Sequence, residues 1–142
     1  VTQTIVVDAS VVAKWLVPEE HSLKAVALRS SYSFAVPDIL FAEVANILWK
    51  KMRRGELTEA DGDDAVGALS FAKLQVERTE PLGPAALRLS RLLDHPTYDC
   101  FYLCLAARLD TIMVTADERL LRKLRSSSQA EWRDVAVDLQ AV

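Results

Sequence analysis

Four carboxylates in this sequence fall where chemistry is usually placed. Asp8 directly follows an apolar, β-branched run in IVVDAS, and Asp117 follows a second such run in IMVTAD. Glu43 lies inside the apolar segment Ile39 to Arg53, and Asp99 stands in the first turn of the helix that continues as CFYLCLAARL. Singly, Asp8, Asp99 and Asp117 are explained as helix caps or as charges favoured near a helix start, worth about 1 kcal/mol each. Capping does not explain Glu43, which forms one polar stripe with Asn46 and Lys50, either a plain solvent face or a functional one. As a set the four acids would repel one another unless a cation neutralised them, and hard oxygen ligands suit magnesium or manganese. Zinc is disfavoured, because Cys100, Cys104, His21 and His95 do not form a zinc-ligand spacing.

The elements that must position these acids are legible from periodicity. Thr4 to Val7 reads as a strand feeding directly into a helix through Val11, Val12, Trp15 and Leu16, which Pro18 stops. A second helix is expected over Glu20 to Arg29, with Leu23, Val26 and Ala27 on its apolar face, then a strand at Phe34 to Val36. Asp38 is a plausible N-cap for a helix from Ile39 to Arg53, with Gly55 as its stop. Thr58 caps another helix, carried by Ala65, Val66, Leu69, Phe71 and Ala72 toward Lys73, and Leu74 to Thr79 reads as a strand. Pro84 opens a helix with Leu87, Leu89, Leu92 and Leu93, broken at Asp94 to Thr97, and Tyr98 to Leu109 is helical. Thr111 to Val114 is a strand, Asp117 begins a helix, Ser126 to Gln129 is a loop, and Val135 to Leu139 alternates as a strand. Strands alternating with helices predict an α/β fold, a central parallel sheet flanked by helices, with its site beyond the carboxyl ends of the strands.

Composition narrows the classes further. The 142 residues fit one domain, residues 1–142, and 51% hydrophobic with 26% charged residues is the balance of a chain with a real core. No apolar run approaches a membrane span, and Val1 to Val7 carries no basic flank before a cleavable apolar stretch, so a soluble, unexported, cytoplasmic protein is expected. Cys100 and Cys104, one helical turn apart, are expected to pack without bridging. A net charge of −3 argues against a general polyanion binder but not against a metal-dependent nucleic-acid enzyme, since metal ions invert the sign of an acidic site.

The segments IVVDASVVAKWL, VPDILFAEVANILWK, YDCFYLCLAARL and TIMVTADERLLRKL, in this order and over nearly the whole chain, resemble PIN-domain ribonucleases, and more closely the VapC toxins of toxin–antitoxin pairs. By that resemblance Asp8, Glu43, Asp99 and Asp117 match the family's acidic metal-binding quartet, and Ser10, Asn46 and Thr115 match polar positions that often support it. The resemblance implies an endoribonuclease that uses Mg2+ or Mn2+ and metal-activated water, leaving a 5′-phosphate and a 3′-hydroxyl. It also implies a homodimer and a cognate VapB-type antitoxin. Asp94 is read as a turn residue before Pro96, or as a spare ligand.

Such an enzyme needs cations beside its acids to hold phosphates. Lys50, Lys51, Arg53 and Arg54 form one candidate patch, Arg119, Arg122, Lys123 and Arg125 another, and Lys14 a third, although cations at helix ends need no such role. Trp15 and Trp49 read as core or interface residues ahead of base-stacking ones. The helices Glu20 to Arg29 and Ile39 to Arg53 are candidates for protein contacts, because Phe41, Trp49 and Met52 exceed one buried stripe. Two rival readings remain: a receiver-like signalling module that accepts a phosphoryl group with magnesium, and an inactive PIN-like scaffold. A small-molecule dehydrogenase is disfavoured by the missing glycine-rich loop after the first strand.

Overall fold

The computed structural model describes residues 2–142; Val1, the first residue of the expected domain, lies outside the described residues. Five strands form one sheet: β1 (Thr4–Val7), β2 (Ser33–Pro37), β3 (Leu74–Glu77), β4 (Met113–Thr115) and β5 (Ala136–Asp138). Every pairing is parallel, in the order β3-β2-β1-β4-β5. Eight helices connect and cover it: α1 (Ala9–Leu16), α2 (Ser22–Ala27), α3 (Leu40–Arg53), α4 (Glu59–Ala68), α5 (Gly83–Leu93), α6 (Thr97–Arg108), α7 (Glu118–Arg125) and α8 (Ala130–Arg133). The α/β expectation therefore holds. Among the described residues no helix is long and apolar enough to cross a membrane.

The first strand is central because its side chains are apolar on both faces. Ile5, Val6 and Val7 are all fully buried, as a parallel strand covered on both sides requires, and each contributes about 1.5 to 3 kcal/mol. Helix α6 supplies the complementary layer through Tyr102, Leu103 and Leu105. Cys100 and Cys104 are buried and unbridged, as expected, and burial pushes the Cys100 thiol up to about 12.

Several expected features differ. Asp38 does not cap α3, whose first turn follows Ile39 without a side-chain cap. Its carboxylate accepts instead from Thr79 N–H (3.1 Å) and Thr79 Oγ–H (2.8 Å), tying the end of β2 to the chain after β3. On α2, Leu23, Val26 and Ala27 face outward while Ala25, and Leu28 just beyond the helix, pack inward, with α2 resting against α1. Helix α4 ends at Ala68, and the following turn leaves Phe71 exposed. Leu87 and Leu92 on α5 are exposed, with Ala86, Leu89 and Leu93 inward. Met52 is not a free contact residue, since a Cβ on Gly62 of α4 would lie 2.5 Å from its Sδ. The short α8 lies between the expected loop and strand, over residues to which periodicity assigns no element.

Candidate metal centre

The carboxyl ends of β1 and β4 build the buried part of the site. Asp8 follows β1 in an extended conformation that aims its carboxylate back at the first turn of α1, where Oδ1 accepts Val11 N–H (3.2 Å). The same Oδ1 accepts the Ser10 hydroxyl (2.5 Å), and Oδ2 accepts the Thr115 hydroxyl. Ser10 Oγ in turn accepts Ala116 N–H (3.1 Å), and Thr115 Oγ1 accepts Asp117 N–H (3.0 Å). Two strand-to-helix turns are thus bonded through one carboxylate. Asp117 caps α7 by accepting Leu120 N–H (3.1 Å), so its capping role is real, and it occupies the same edge.

Helices α3 and α6 bring the other two acids. Tyr102 of α6 is 1% exposed and donates its hydroxyl to Glu43 Oε1 at 2.6 Å. Asp99 lies one turn earlier on the same face of α6, in its first turn, and its Oδ2 is 2.5 Å from His95 Nε2. Donor atoms of His95, Asp99 and Asp117 all lie within 4.8 Å of one another.

The electrostatics join the four acids into one site. Burial pushes the Asp8 carboxyl up from 3.8 to about 7; hydrogen bonds from Ser10 and Thr115 pull the other way, and the like charge of Asp99 adds to the rise. Burial also raises Glu43, against its bond from Tyr102, and Asp99 raises it further. Asp99 is raised by burial, lowered by its contact with His95 and raised again by Asp117. Tyr102 is held protonated far above its ordinary range by burial and by Glu43. Among the described residues no Lys or Arg forms an ion pair with any of the four acids. The raised carboxyls of Asp8, Glu43 and Asp99, with the Asp117 oxygens beside Asp99, are hard donors that fit a divalent cation.

Not every expected residue joins the site. Ser10 and Thr115 do, through Asp8; Asn46 is exposed on α3 with no side-chain hydrogen bond among the described residues. Lys14 bonds Glu19 (3.1 Å), which also holds Lys51, so two of the expected phosphate contacts are already paired. Arg54 pairs with Glu56, Arg53 lies over the Trp49 ring, and Lys123 bonds the carbonyl of Asp94. Asp94 itself is a left-handed turn residue ending α5, as read. Lys50, Arg119, Arg122 and Arg125 remain exposed and without ion pairs among the described residues. Lys14 borders a cleft of about 560 Å³ with His21, Asp117 and Glu118. Trp15 is a packing residue, its Nε1–H bonded to Ala25 O (2.9 Å) and its ring against Phe34.

Sequence reasoning missed His95 and Tyr102. His95, which forms no zinc-ligand spacing with the cysteines, nonetheless stands by the acids: it precedes Asp99 by four residues, and that spacing is the available signal. The strand order argues against the receiver-like alternative, whose doubly wound sheet runs 2-1-3-4-5 where this one runs 3-2-1-4-5.

Comparison with known proteins defines the class first: a match to the PIN domain spans residues 5–125. Ribonuclease VapC3 of Pyrobaculum aerophilum is 34% identical over 122 residues, covering 84% of this chain and 93% of the relative. Ribonuclease VapC1 of Mycobacterium tuberculosis is 30% identical over 120 residues, covering 81% and 86%. On these matches the chain belongs to the VapC ribonucleases of the PIN-domain family. Two crystal structures share the fold. PAE2754 from Pyrobaculum aerophilum superposes with a TM-score of 0.69 at 24% identity, over 99% of this chain and 85% of that one. Mycobacterium tuberculosis VapC20, described as a Sarcin-Ricin loop cleaving toxin, gives 0.62 at 16% identity, over 78% and 86%.

Proposed function

We propose that this chain is a divalent-metal-dependent endoribonuclease acting as the toxin of a type II toxin–antitoxin pair, restrained by a VapB-type antitoxin and working as a homodimer. The observation that carries this reading is that Asp117 lies beside Asp99, and Asp8 and Glu43 both feel the charge of Asp99, with no Lys or Arg paired to the four among the described residues. Residues 1–142 are read as one PIN domain, since β5 lies beyond the matched segment yet pairs with β4.

Asp8, Asp99 and Asp117 would hold Mg2+ or Mn2+, with Glu43 completing the set. The bound ion supplies a nucleophilic water at neutral pH and offsets charge developing on the phosphate. The protein's own groups do the rest. Ser10 and Thr115 fix the orientation of Asp8 by donating to both of its oxygens. Glu43 is anchored through Oε1 by Tyr102, which leaves Oε2 to take a proton at a carboxylate whose affinity burial has raised. Asn46, exposed one turn after Glu43, and Lys50 and Arg119, exposed and without ion pairs among the described residues, would meet the substrate backbone.

The test is cleavage of total cellular RNA by the purified, antitoxin-free protein with Mg2+ or Mn2+. Discrete cuts, lost in Asp8→Asn, in Asp99→Asn and in chelator, are expected. No cleavage by a folded, metal-saturated protein overturns the reading in favour of an inactive scaffold.

A further inference from the structure

The junction between α5 and α6 is built more rigidly than a turn requires. His95 N–H donates to Ser90 O (3.2 Å), and Ser90 Oγ donates back to His95 O (2.5 Å). Thr97 Oγ1 adds a bond to Ser90 Oγ (3.3 Å), and Lys123 of α7 holds the carbonyl of Asp94. Both backbone groups of His95 are therefore fixed, and its side chain is only 4% exposed. An apolar residue would fill this space without leaving a polar atom to satisfy, so the presence of an imidazole calls for a reason.

Among the described residues the ring makes one polar contact, from Nε2 to Asp99 Oδ2, while Nδ1 is buried with no partner. Placing the proton on Nε2 leaves a bare lone pair on Nδ1; placing it on Nδ1 would bury an N–H donor with no acceptor and leave Nε2 facing a carboxylate oxygen, lone pair to lone pair. The geometry thus favours Nε2–H donating to Asp99. That bond occupies Oδ2 and leaves Oδ1 of Asp99 as its free oxygen.

We infer that His95 is a positioning residue of the metal centre, which sets the orientation of Asp99 through Nε2–H and does not itself bind the ion. The inference rests on the proposed role of Asp99 as a metal ligand. It assigns to this histidine the outer-shell part that hydrogen-bond partners of metal ligands play elsewhere, with the usual order reversed: here the carboxylate is the ligand and the imidazole its support.

Glutamine and asparagine separate the two ring nitrogens, since a Gln side-chain amide places its nitrogen near Nε2 and that of Asn places it near Nδ1. In the metal-stripped full-length protein, calorimetric Mn2+ titration is expected to show His95→Gln within about threefold of wild type and His95→Asn weakened about tenfold or more. The electron spin-echo spectrum of the Mn2+-loaded wild type should show no imidazole nitrogen coupling. If His95→Asn does not fold, His95→Ala takes its place, with circular dichroism as the check on folding. Equal weakening by Gln and by Asn or Ala, unchanged affinity in both, or a nitrogen coupling that vanishes in His95→Gln would each overturn the inference. A wild-type protein that binds no Mn2+ would overturn the metal-centre reading and this inference together, whereas normal wild-type binding with indifferent variants overturns this inference alone.

Discussion

Replacing Asp8 with asparagine separates the charge of this group from its shape. Its carboxyl is 4% exposed and is raised from 3.8 to about 7, chiefly by burial. A raised folded-state pKa means the native protein loses stability relative to the unfolded chain as pH climbs from below 3.8 to above 7. A shift of roughly three units is worth about 4 kcal/mol. Asn keeps acceptance from Val11 N–H and Ser10, but its amide nitrogen cannot accept the Thr115 hydroxyl, which costs about 1 to 2 kcal/mol at every pH. Without metal the variant should therefore be less stable than wild type near pH 4, by about 1 to 2 kcal/mol, and more stable at pH 8, by about 2 kcal/mol. Urea unfolding of both proteins in chelator, from pH 4 to 8, measures this crossover. Adding Mn2+ at pH 8 should restore the wild-type advantage, because the ion binds only the native, ionised site. A stability difference that stays constant across the pH range would refute the argument that Asp8 carries a buried, uncompensated charge.

Other expectations follow from the same geometry. Tyr102→Phe removes the hydroxyl that holds Glu43 down, so Glu43 should rise further and the acidic limb of the RNA-cleavage profile should move to higher pH, with about 1 kcal/mol lost in thermal unfolding. Glu19 is pushed up by burial but brought below its ordinary value by Lys51 and Lys14 together. Its contribution is present above the unfolded pKa and lost as pH falls, so Glu19→Gln should destabilise at pH 7 and match wild type near pH 3 in chemical denaturation. Gly67 on α4 has no atom within 4 Å of where a Cβ would stand, so Gly67→Ala should raise stability by about 0.5 to 1 kcal/mol and leave cleavage unchanged.

The strands that place Asp8 and Asp117 could be read directly from their β-branched apolar runs, but each acid has the local form of a helix cap, and only the set of four pointed further. Glu43 was visible for a different reason: it interrupts an apolar helix. What periodicity could not supply were partners distant in sequence. Asp38 has the local form of a cap, but its acceptor capacity is taken by Thr79, brought near by the β2–β3 pairing. Tyr102 reads as one more apolar helix residue until α3 is laid against it. The apolar face of α2 was misjudged because a helix this short carries two candidate faces, and packing against α1 selects the smaller one. His95 forms no zinc-ligand spacing in the sequence, and only the fixed turn before α6 brings it onto Asp99.

The bonds that join the Asp8 turn to Thr115 and Ala116 span more than 100 residues of chain. Such contacts form only after the intervening sequence has closed on itself, which makes them late events in folding. On the ribosome the consequence is temporal. A nascent chain that has presented β1, α1 and α3 still lacks Thr115, which bonds Asp8, and Asp117, which lies beside Asp99. Synthesis of most of the chain must therefore precede the joining of these two turns, and under the proposed function the growing polypeptide would leave the ribosome before it could cut RNA.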